Sequence, residues 1–268
     1  MKLRILLTVA VLVSAGCGDD QSTAPPAPAV DDSPEAAAQA PEAAPAAAAT
    51  QPAAVPPPAT TLPAASVPAQ RDSSTDALAA LGYQAGVHYQ RLSPTQPTSS
   101  SPDQVEVAEF FMYSCVHCYN FEPYVQQWLT RKPAYINFIR VPTVWNPLVR
   151  LHGQAFYAAE ALGKGAEMHT PFFREMHVTG NLLQTQEDIA EFFSRFDVDE
   201  QAFEGAFNSF AVHTKVQRAD ELTRRYRVEA TPSVVVNGKY VTTASMAGGF
   251  EQLVELIDAL AQSERPLN

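Results

Sequence analysis

Cys115 and Cys118 lie three positions apart, with Val116 and His117 between them, and their thiols are the most reactive groups in the sequence. A C-x-x-C spacing serves two kinds of chemistry, reversible disulfide exchange and metal binding. A four-thiolate metal site would need more cysteines than this chain has, because Cys17 is the only cysteine besides Cys115 and Cys118. None of the six histidines shows the H-x3–5-H spacing of a Cys2His2 site. The motif therefore favours a redox-active dithiol, and we expect no bound metal.

The residues around the motif are typical of a strand, a turn and a helix. Residues 105–113 are rich in β-branched and aromatic side chains, and a period of two places Glu109 among apolar neighbours on one face. Apolar residues then recur every three or four positions from Cys118 to Leu129, which predicts a helix with Cys118 on its buried face. Cys115 falls at the helix start, where unpaired backbone N–H groups and the helix dipole favour a thiolate. We therefore predict that Cys115 is the nucleophile.

A second motif lies far along the chain. Thr231-Pro232 is followed by the β-branched run 233–236, and Asn237-Gly238 separates that run from residues 239–241. An Asn-Gly pair between two β-rich runs predicts a hairpin with a two-residue turn. We therefore expect Pro232 to stand at the entrance to a β-hairpin.

Together these motifs resemble the DsbA family of thiol:disulfide oxidoreductases. The resemblance covers about residues 83–262 and rests on Glu109-Phe110-Phe111, Cys115-Val116-His117-Cys118, Thr231-Pro232 and Val236-Asn237-Gly238-Lys239-Tyr240. It implies an α/β protein with the thioredoxin fold and an inserted helical domain. It also implies that the redox group is a Cys115–Cys118 disulfide and that no cofactor is needed.

The resemblance assigns roles to the residues around the dithiol. It implies that Cys115 attacks and leaves, that Cys118 is its buried partner, and that His117 tunes the pair. Glu109 would be a buried acid beneath Cys118 that relays its proton; the alternative is a core carboxylate paired to a neighbour. Val116 stands where the family most often has proline, a difference that bears on the redox potential.

The same resemblance assigns Thr231 and Pro232 to substrate binding. It implies that Pro232 is cis and lies beside the dithiol, with Thr231 offering backbone hydrogen bonds to the substrate. Threonine before this proline is also frequent in the isomerase branch. A disulfide isomerase or reductase of the same fold is therefore an alternative to a disulfide donor.

Helical spacing of apolar residues over about 147–224 predicts the inserted helical domain. Within it, Thr185 and Asp188 resemble a capping box. We expect the histidines of this domain to be surface or hydrogen-bonded helical residues; they are His152, His169, His177 and His213. A last helix is predicted from about Met246 to Gln262.

The N-terminal part of the sequence has the composition of an export signal and a tether. Basic residues and a short apolar run in residues 1–17 predict a signal peptide, and the small residues before Cys17 resemble a bacterial lipobox. Residues 18–76 hold 12 of the 22 prolines and long alanine runs, which predicts a disordered Pro/Ala-rich linker. Residues 77–268 are then the DsbA-like thioredoxin domain.

These features predict an exported thiol:disulfide oxidoreductase that donates a disulfide to reduced or unfolded proteins. The resemblance to DsbA implies a DsbB-type membrane reoxidant and a periplasmic location. The lipobox-like segment implies lipid anchoring at Cys17, with Gly18 weakly favouring the outer membrane; the alternative is an ordinary signal peptide cleaved nearby. A net charge of −11 without a basic stripe argues against nucleic-acid binding, and nothing in the sequence demands more than a monomer. The alternative of another class is a non-catalytic soft-metal-binding module that uses Cys115, Cys118 and His117.

Overall fold

Residues 73–266 are the part of the protein that the structure, a computed structural model, describes. The predicted signal peptide, Cys17 and residues 18–72 of the predicted linker lie outside this range. Residues 73–76, which the sequence analysis assigned to the linker, form the start of helix α1, Ser73–Ala80.

Five strands of the described residues form one mixed sheet in the order β1-β5-β4-β2-β3. The strands are β1 (Gln90–Arg91), β2 (Val105–Phe111), β3 (Ile136–Pro142), β4 (Ser233–Val236) and β5 (Tyr240–Thr243). β2 pairs in parallel with β3 and antiparallel with β4, while β5 pairs antiparallel with both β4 and β1. Strand β2 is buried along its whole length, so residues on both of its faces are shielded from water. It ends at Phe111, two residues earlier than the sequence predicted.

Helices cover both faces of this sheet. In addition to α1 they are α2 (Val116–Leu129), α3 (Pro147–Ala161), α4 (Gly165–Arg174), α5 (Gln186–Ser194), α6 (Glu200–Phe207), α7 (Phe210–Arg225), α8 (Ala244–Ala247) and α9 (Phe250–Ser263). The π-helical turn Glu175–Thr179 continues α4. None of the helices in residues 73–266 is long and apolar enough to cross a membrane.

Helices α3 to α7 form the inserted helical domain, close to the predicted limits of 147–224. The capping box at the start of α5 is present: the Thr185 hydroxyl accepts from the Asp188 N–H, and the Asp188 carboxylate accepts from the Thr185 N–H. A phenylalanine-rich core fills this domain and continues to Phe111 of the sheet and to Cys118 of α2. A second core lies under α2 and α9 and includes Phe121, the next buried residue of α2 after Cys118. The dithiol therefore sits where the two cores meet.

The C-terminal hairpin agrees with the sequence prediction, whereas the last helix does not. Asn237 and Gly238 both have positive φ, 51° and 62°, as a type I′ turn requires. The single helix predicted over 246–262 is instead two helices, because Gly248 and Gly249 adopt φ of 97° and 151°. These values end α8 and redirect the chain into α9, which brings Phe250 to the site described next.

Candidate active site

Cys115 is the N-cap residue of α2, and Cys118 lies one turn inside the helix. The backbone N–H of Cys118 donates to the Sγ of Cys115 at 3.3 Å. Cys115 is 8% exposed and Cys118 is fully buried. The thiol at the helix end can therefore be approached by a substrate sulfur, whereas the inner thiol cannot. Both thiols are free in this structure.

The pKa values of the two thiols move in opposite directions. A hydrogen bond with the Cys118 thiol lowers the pKa of Cys115 to about 5, despite partial burial, and hydrogen bonds from the backbone N–H groups of Cys118 and His117 add to this effect. Burial raises the pKa of Cys118 far above that of a free thiol. Near neutral pH the reduced site therefore holds a Cys115 thiolate and a neutral Cys118 thiol.

The two residues between the cysteines lie at the surface. Val116 is half exposed and His117 is exposed. No described residue forms a hydrogen bond or ion pair with the His117 imidazole. The contribution of His117 to the thiolate comes from its backbone N–H, in the first turn of α2.

The Thr231–Pro232 peptide lies beside the dithiol and is cis, as the resemblance implies. The Cys115 Sγ lies 3.3 Å from the Thr231 carbonyl oxygen, to which the thiol donates when it is protonated. An open cavity of about 620 Å³ begins at this point and is lined by His117, Thr231, Pro232 and Phe250, among others. Its largely apolar wall, next to the exposed edge of the dithiol, suits an extended peptide segment better than a small polar molecule.

Glu109 is buried on β2, and its register partner on β3 is Arg140. The Arg140 Nε donates to the Glu109 carboxylate at 3.2 Å, and an Arg140 terminal nitrogen donates to both Glu122 oxygens at 3.1 Å. Burial raises the pKa of Glu109 to about 7, the charge of Glu122 adds to this, and Arg140 opposes it. The charge of Glu109 also acts on Cys118. Glu109 is therefore a core carboxylate paired to a neighbour, with a pKa near neutrality; that it relays the proton of Cys118 stays a prediction.

Sequence reasoning missed four polar residues near this acid. Arg140 forms ion pairs with both Glu109 and Glu122. His169 and His177 reach the site from the inserted domain. His169 is buried and bonds the Tyr113 hydroxyl, and the His177 Nε2 lies 2.8 Å from the Tyr113 carbonyl oxygen. Spacing could have found Glu122, which is four residues after Cys118 and shares its helix face. The other three depend on tertiary packing.

The sequence analysis expected no metal, with a module binding through Cys115, Cys118 and His117 as the alternative. Within residues 73–266, no three His, Cys, Asp or Glu side chains are grouped in a way that could hold a metal ion.

Comparison with known proteins identifies the family. Residues 142–260 match the family profile described as a DSBA-like thioredoxin domain. The thiol:disulfide interchange protein DsbA of Pseudomonas aeruginosa is 37% identical over 189 residues, covering 70% of this chain and 89% of the relative. That of Azotobacter vinelandii is 36% identical over 193 residues, covering 72% and 90%. The chain belongs to the DsbA family.

Solved structures of DsbA proteins agree with this membership. The crystal structure of P. aeruginosa DsbA matches with a TM-score of 0.66 at 37% identity, covering 69% of this chain and 96% of that one. DsbA from Xylella fastidiosa matches with a TM-score of 0.64 at 28% identity, covering 68% and 98%. The predictions of a thioredoxin fold and of a thiol:disulfide oxidoreductase are thus confirmed, and the isomerase, reductase and metal-binding alternatives are not favoured.

Proposed function

We propose that this DsbA-family protein donates the Cys115–Cys118 disulfide to reduced proteins, with Cys115 as the attacked sulfur and Cys118 as the internal leaving group. The observation that carries the assignment is the contrast between the two thiols. Cys115 is reachable and its thiolate is stabilised, whereas Cys118 is enclosed and strongly disfavours ionisation. A stabilised thiolate stabilises the reduced form, so the disulfide form is a strong oxidant.

The proposed reaction transfers two electrons from substrate to enzyme. A substrate thiolate attacks the Cys115 Sγ, the Cys115–Cys118 bond breaks, and Cys118 leaves with the electron pair. A second substrate thiolate then attacks the substrate sulfur of the mixed disulfide, and Cys115 leaves as a thiolate. The substrate gains a disulfide and loses two protons. One proton reaches Cys118 and the other reaches the solvent.

Glu109 is the proposed donor of the proton that Cys118 takes up. A thiolate at Cys118 would be buried and costly, so its departure needs a nearby acid. Glu109 is buried, interacts electrostatically with Cys118, and has a pKa of about 7, which suits proton transfer near neutral pH. His117 supports the Cys115 thiolate through its backbone N–H, and Val116 contributes an apolar contact surface at the mouth of the site.

Thr231 and Pro232 are the proposed substrate-binding residues. They line the cavity beside Cys115, and Phe250 gives that cavity an aromatic wall. An unfolded chain could lie across Pro232 with its cysteine at Cys115. This arrangement explains why the substrate class would be reduced or unfolded proteins rather than a small thiol.

The cellular setting is proposed from the sequence alone. The signal-like residues 1–17 and the lipobox-like segment before Cys17 support export to the periplasm and lipid anchoring, with the outer membrane favoured by Gly18 after the cysteine. Residues 18–72, the part of the predicted linker before α1, would act as a Pro/Ala tether between the anchor and the thioredoxin domain. A DsbB-type membrane protein would reoxidise the dithiol, and the protein would act as a monomer.

Cysteine variants test the assignment of the two sulfurs. Cys118→Ser should accumulate mixed disulfides with reduced protein substrates through Cys115, because no inner thiol remains to release them. Cys115→Ser should form no such adducts and should lose oxidative refolding activity, since the remaining thiol is enclosed. Mass spectrometry of alkylated peptides locates the adduct. Substrate trapped through Cys118 in the Cys115→Ser protein would reverse the assignment.

A further inference from the structure

His169 belongs to a buried polar cluster that links the inserted domain to Glu109. It is 2% exposed on α4. Its Nδ1 lies 2.9 Å from the Tyr113 hydroxyl oxygen, and its Nε2 lies 3.5 Å from a Glu122 carboxylate oxygen. At that separation Nε2 forms no hydrogen bond with Glu122 or with any other described residue. The imidazole therefore has one well-formed contact and one ionic neighbour.

These contacts determine which nitrogen of His169 carries the hydrogen. Nε2 faces a carboxylate, so a hydrogen on Nε2 points at an acceptor, whereas an unprotonated Nε2 would face a negative charge across a dry interface. Nδ1 then accepts from the Tyr113 hydroxyl. Burial raises the pKa of Tyr113 well above that of a free phenol, which keeps this donor protonated. Tyr113 thus holds the ring with its Nε2 hydrogen towards Glu122.

If Glu109, Glu122 and Arg140 were all ionised, the buried cluster would carry a net charge. Two carboxylates, Glu109 and Glu122, flank the single guanidinium of Arg140. Burial lowers the pKa of His169, which favours its neutral form. One shared proton on the carboxylate pair therefore neutralises the cluster. The remaining groups that face it are Gln126 and Thr170, both donating to Glu122, and Glu160 from α3, whose charge acts on Tyr113.

We propose that His169 is a positioning residue that keeps this shared proton on Glu109, next to Cys118, by directing its Nε2 hydrogen at the ionised form of Glu122. Glu122 has donors from α2, β3 and α4, whereas Glu109 has only Arg140 among the described residues. The anion is therefore held at Glu122 and the proton at Glu109. This inference rests on the proposed role of Glu109 as proton donor and adds the residue that keeps the proton on Glu109.

Loss of the His169 donor would move the proton to the wrong acid. Burial alone would raise the pKa of Glu122, but His169, Arg140 and Gln126 together hold it below its ordinary value. Without the Nε2 hydrogen of His169, Glu122 would bind a proton more tightly. Less negative charge on Glu122 would in turn lower the pKa of Glu109. Cys118 would then leave next to an ionised carboxylate instead of a carboxylic acid, and the step would slow.

Two substitutions of His169 test the contributions of its two ring nitrogens separately. The amide nitrogen of His169→Gln reaches the place of Nε2 and can still donate to Glu122. The shorter His169→Asn side chain places its amide near Nδ1, so it can contact Tyr113 but leaves Glu122 without this donor. Both replace the ring by an amide and lose its packing, so they form a matched pair.

The measurement is a carbon-13 NMR titration of the glutamate side-chain carboxyl groups in the reduced, full-length protein. Carboxylates this close titrate as a coupled pair. The experiment therefore records which carboxyl carbon changes its chemical shift in the titration step at higher pH, called the upper step. We expect Glu109 to titrate in the upper step in the wild type and in His169→Gln. We expect Glu122 to do so in His169→Asn. Glu109 in the upper step of all three proteins, or Glu122 in the upper step of both variants, would overturn the proposal.

A rate measurement distinguishes this proposal from the proposed role of Glu109. Single-turnover oxidation of a dithiol peptide should slow on the order of tenfold in His169→Asn, part of the roughly 10²–10⁴-fold that general acid–base catalysis supplies, and recover in His169→Gln. Glu109→Gln should slow it at least as much. An unchanged rate in Glu109→Gln would remove Glu109 as donor and leave the NMR result on His169 standing. A slow Glu109→Gln with unaltered NMR order in His169→Asn would reject only the role of His169.

Discussion

Cys115 and Cys118 have the same thiol chemistry and differ only in where α2 places them. The N-cap position leaves Cys115 with backbone N–H donors that have no helical partner, and these stabilise an anion. One turn later, Cys118 faces the junction of the two cores, where a charge would be desolvated. Three positions in the chain thus separate a nucleophile from a neutral thiol.

His117 offers a test of which atoms hold the Cys115 thiolate. His117→Pro removes the backbone N–H that contributes to the low pKa, whereas His117→Ala keeps it, and proline is tolerated in the first turn of a helix. A hydrogen bond to a charged group is worth about 1.5–3 kcal/mol and a pKa unit about 1.4 kcal/mol. We expect the Cys115 pKa to rise by about one unit in His117→Pro and by less in His117→Ala.

Thiolate absorbance against pH measures this shift, and equilibrium with glutathione measures the potential. A higher pKa makes the protein more reducing. The pKa of Cys115 is depressed in the folded reduced form, so its stabilisation of that form is complete above the ordinary thiol pKa. It is lost as the pH falls through about 5. Equal shifts in the two variants would instead place the effect on the imidazole.

The chemistry of the dithiol could be predicted from residue types, but its supporting charges could not. Spacing alone places Cys115 at a helix start and Glu109 in a buried strand. Arg140 faces Glu109 because β2 and β3 pair in parallel in one register, and a register is not visible in one sequence. His169 lies further from Glu109 along the chain than Arg140 does. Its position in a predicted helix gives no sign in the sequence of its contact with Glu122.

Among the secondary-structure elements, the β4–β5 hairpin carries the strand that begins directly after Pro232. Its turn could be predicted because Asn237-Gly238 is the pair that suits two successive positive φ values. The break between α8 and α9 could not, because apolar spacing continues across Gly248 and Gly249 as it would in one helix. The conformation of these glycines depends on the packing of α9 against the sheet.

Gly238→Ala should destabilise the protein by about 2–5 kcal/mol. A Cβ at this position would meet the Gln96 carbonyl oxygen at 2.1 Å, and φ of 62° is strained for any residue with a Cβ. Gly205→Ala is the matched control, because its Cβ meets nothing within 4 Å in helix α6. It should stabilise by about 0.5–1 kcal/mol. Urea unfolding of both variants measures these changes. Similar effects in the two would contradict the close approach of Gln96 to the turn.

At the scale of the molecule, the inserted domain supplies one wall of the redox site. Phe173 packs against Tyr113 and Tyr119, and His177 stacks on Tyr119; the two tyrosines flank the dithiol in sequence. The helical insertion was predicted from its periodicity, but its contact with the dithiol follows from the single core that joins α3 and α4 to the end of β2. The thioredoxin domain therefore depends on its insertion to shape the surroundings of Cys118.

The anchor proposed at Cys17 concerns the whole chain and is open to a direct test. Cys17→Ser should block lipidation and move the protein from the membrane fraction to a soluble or uncleaved form, because acyl chains supply about 0.8 kcal/mol per buried CH₂. Cys118→Ser, which alters a thiol of the folded domain, should remain with the membrane. A Pro/Ala tether over residues 18–72 would let the domain reach on the order of 170 Å from that anchor at ~3.1 Å per residue. Fractionation and mass spectrometry of the N-terminal peptide make the measurement, and unchanged membrane partition of Cys17→Ser would rule out a lipid anchor at this residue.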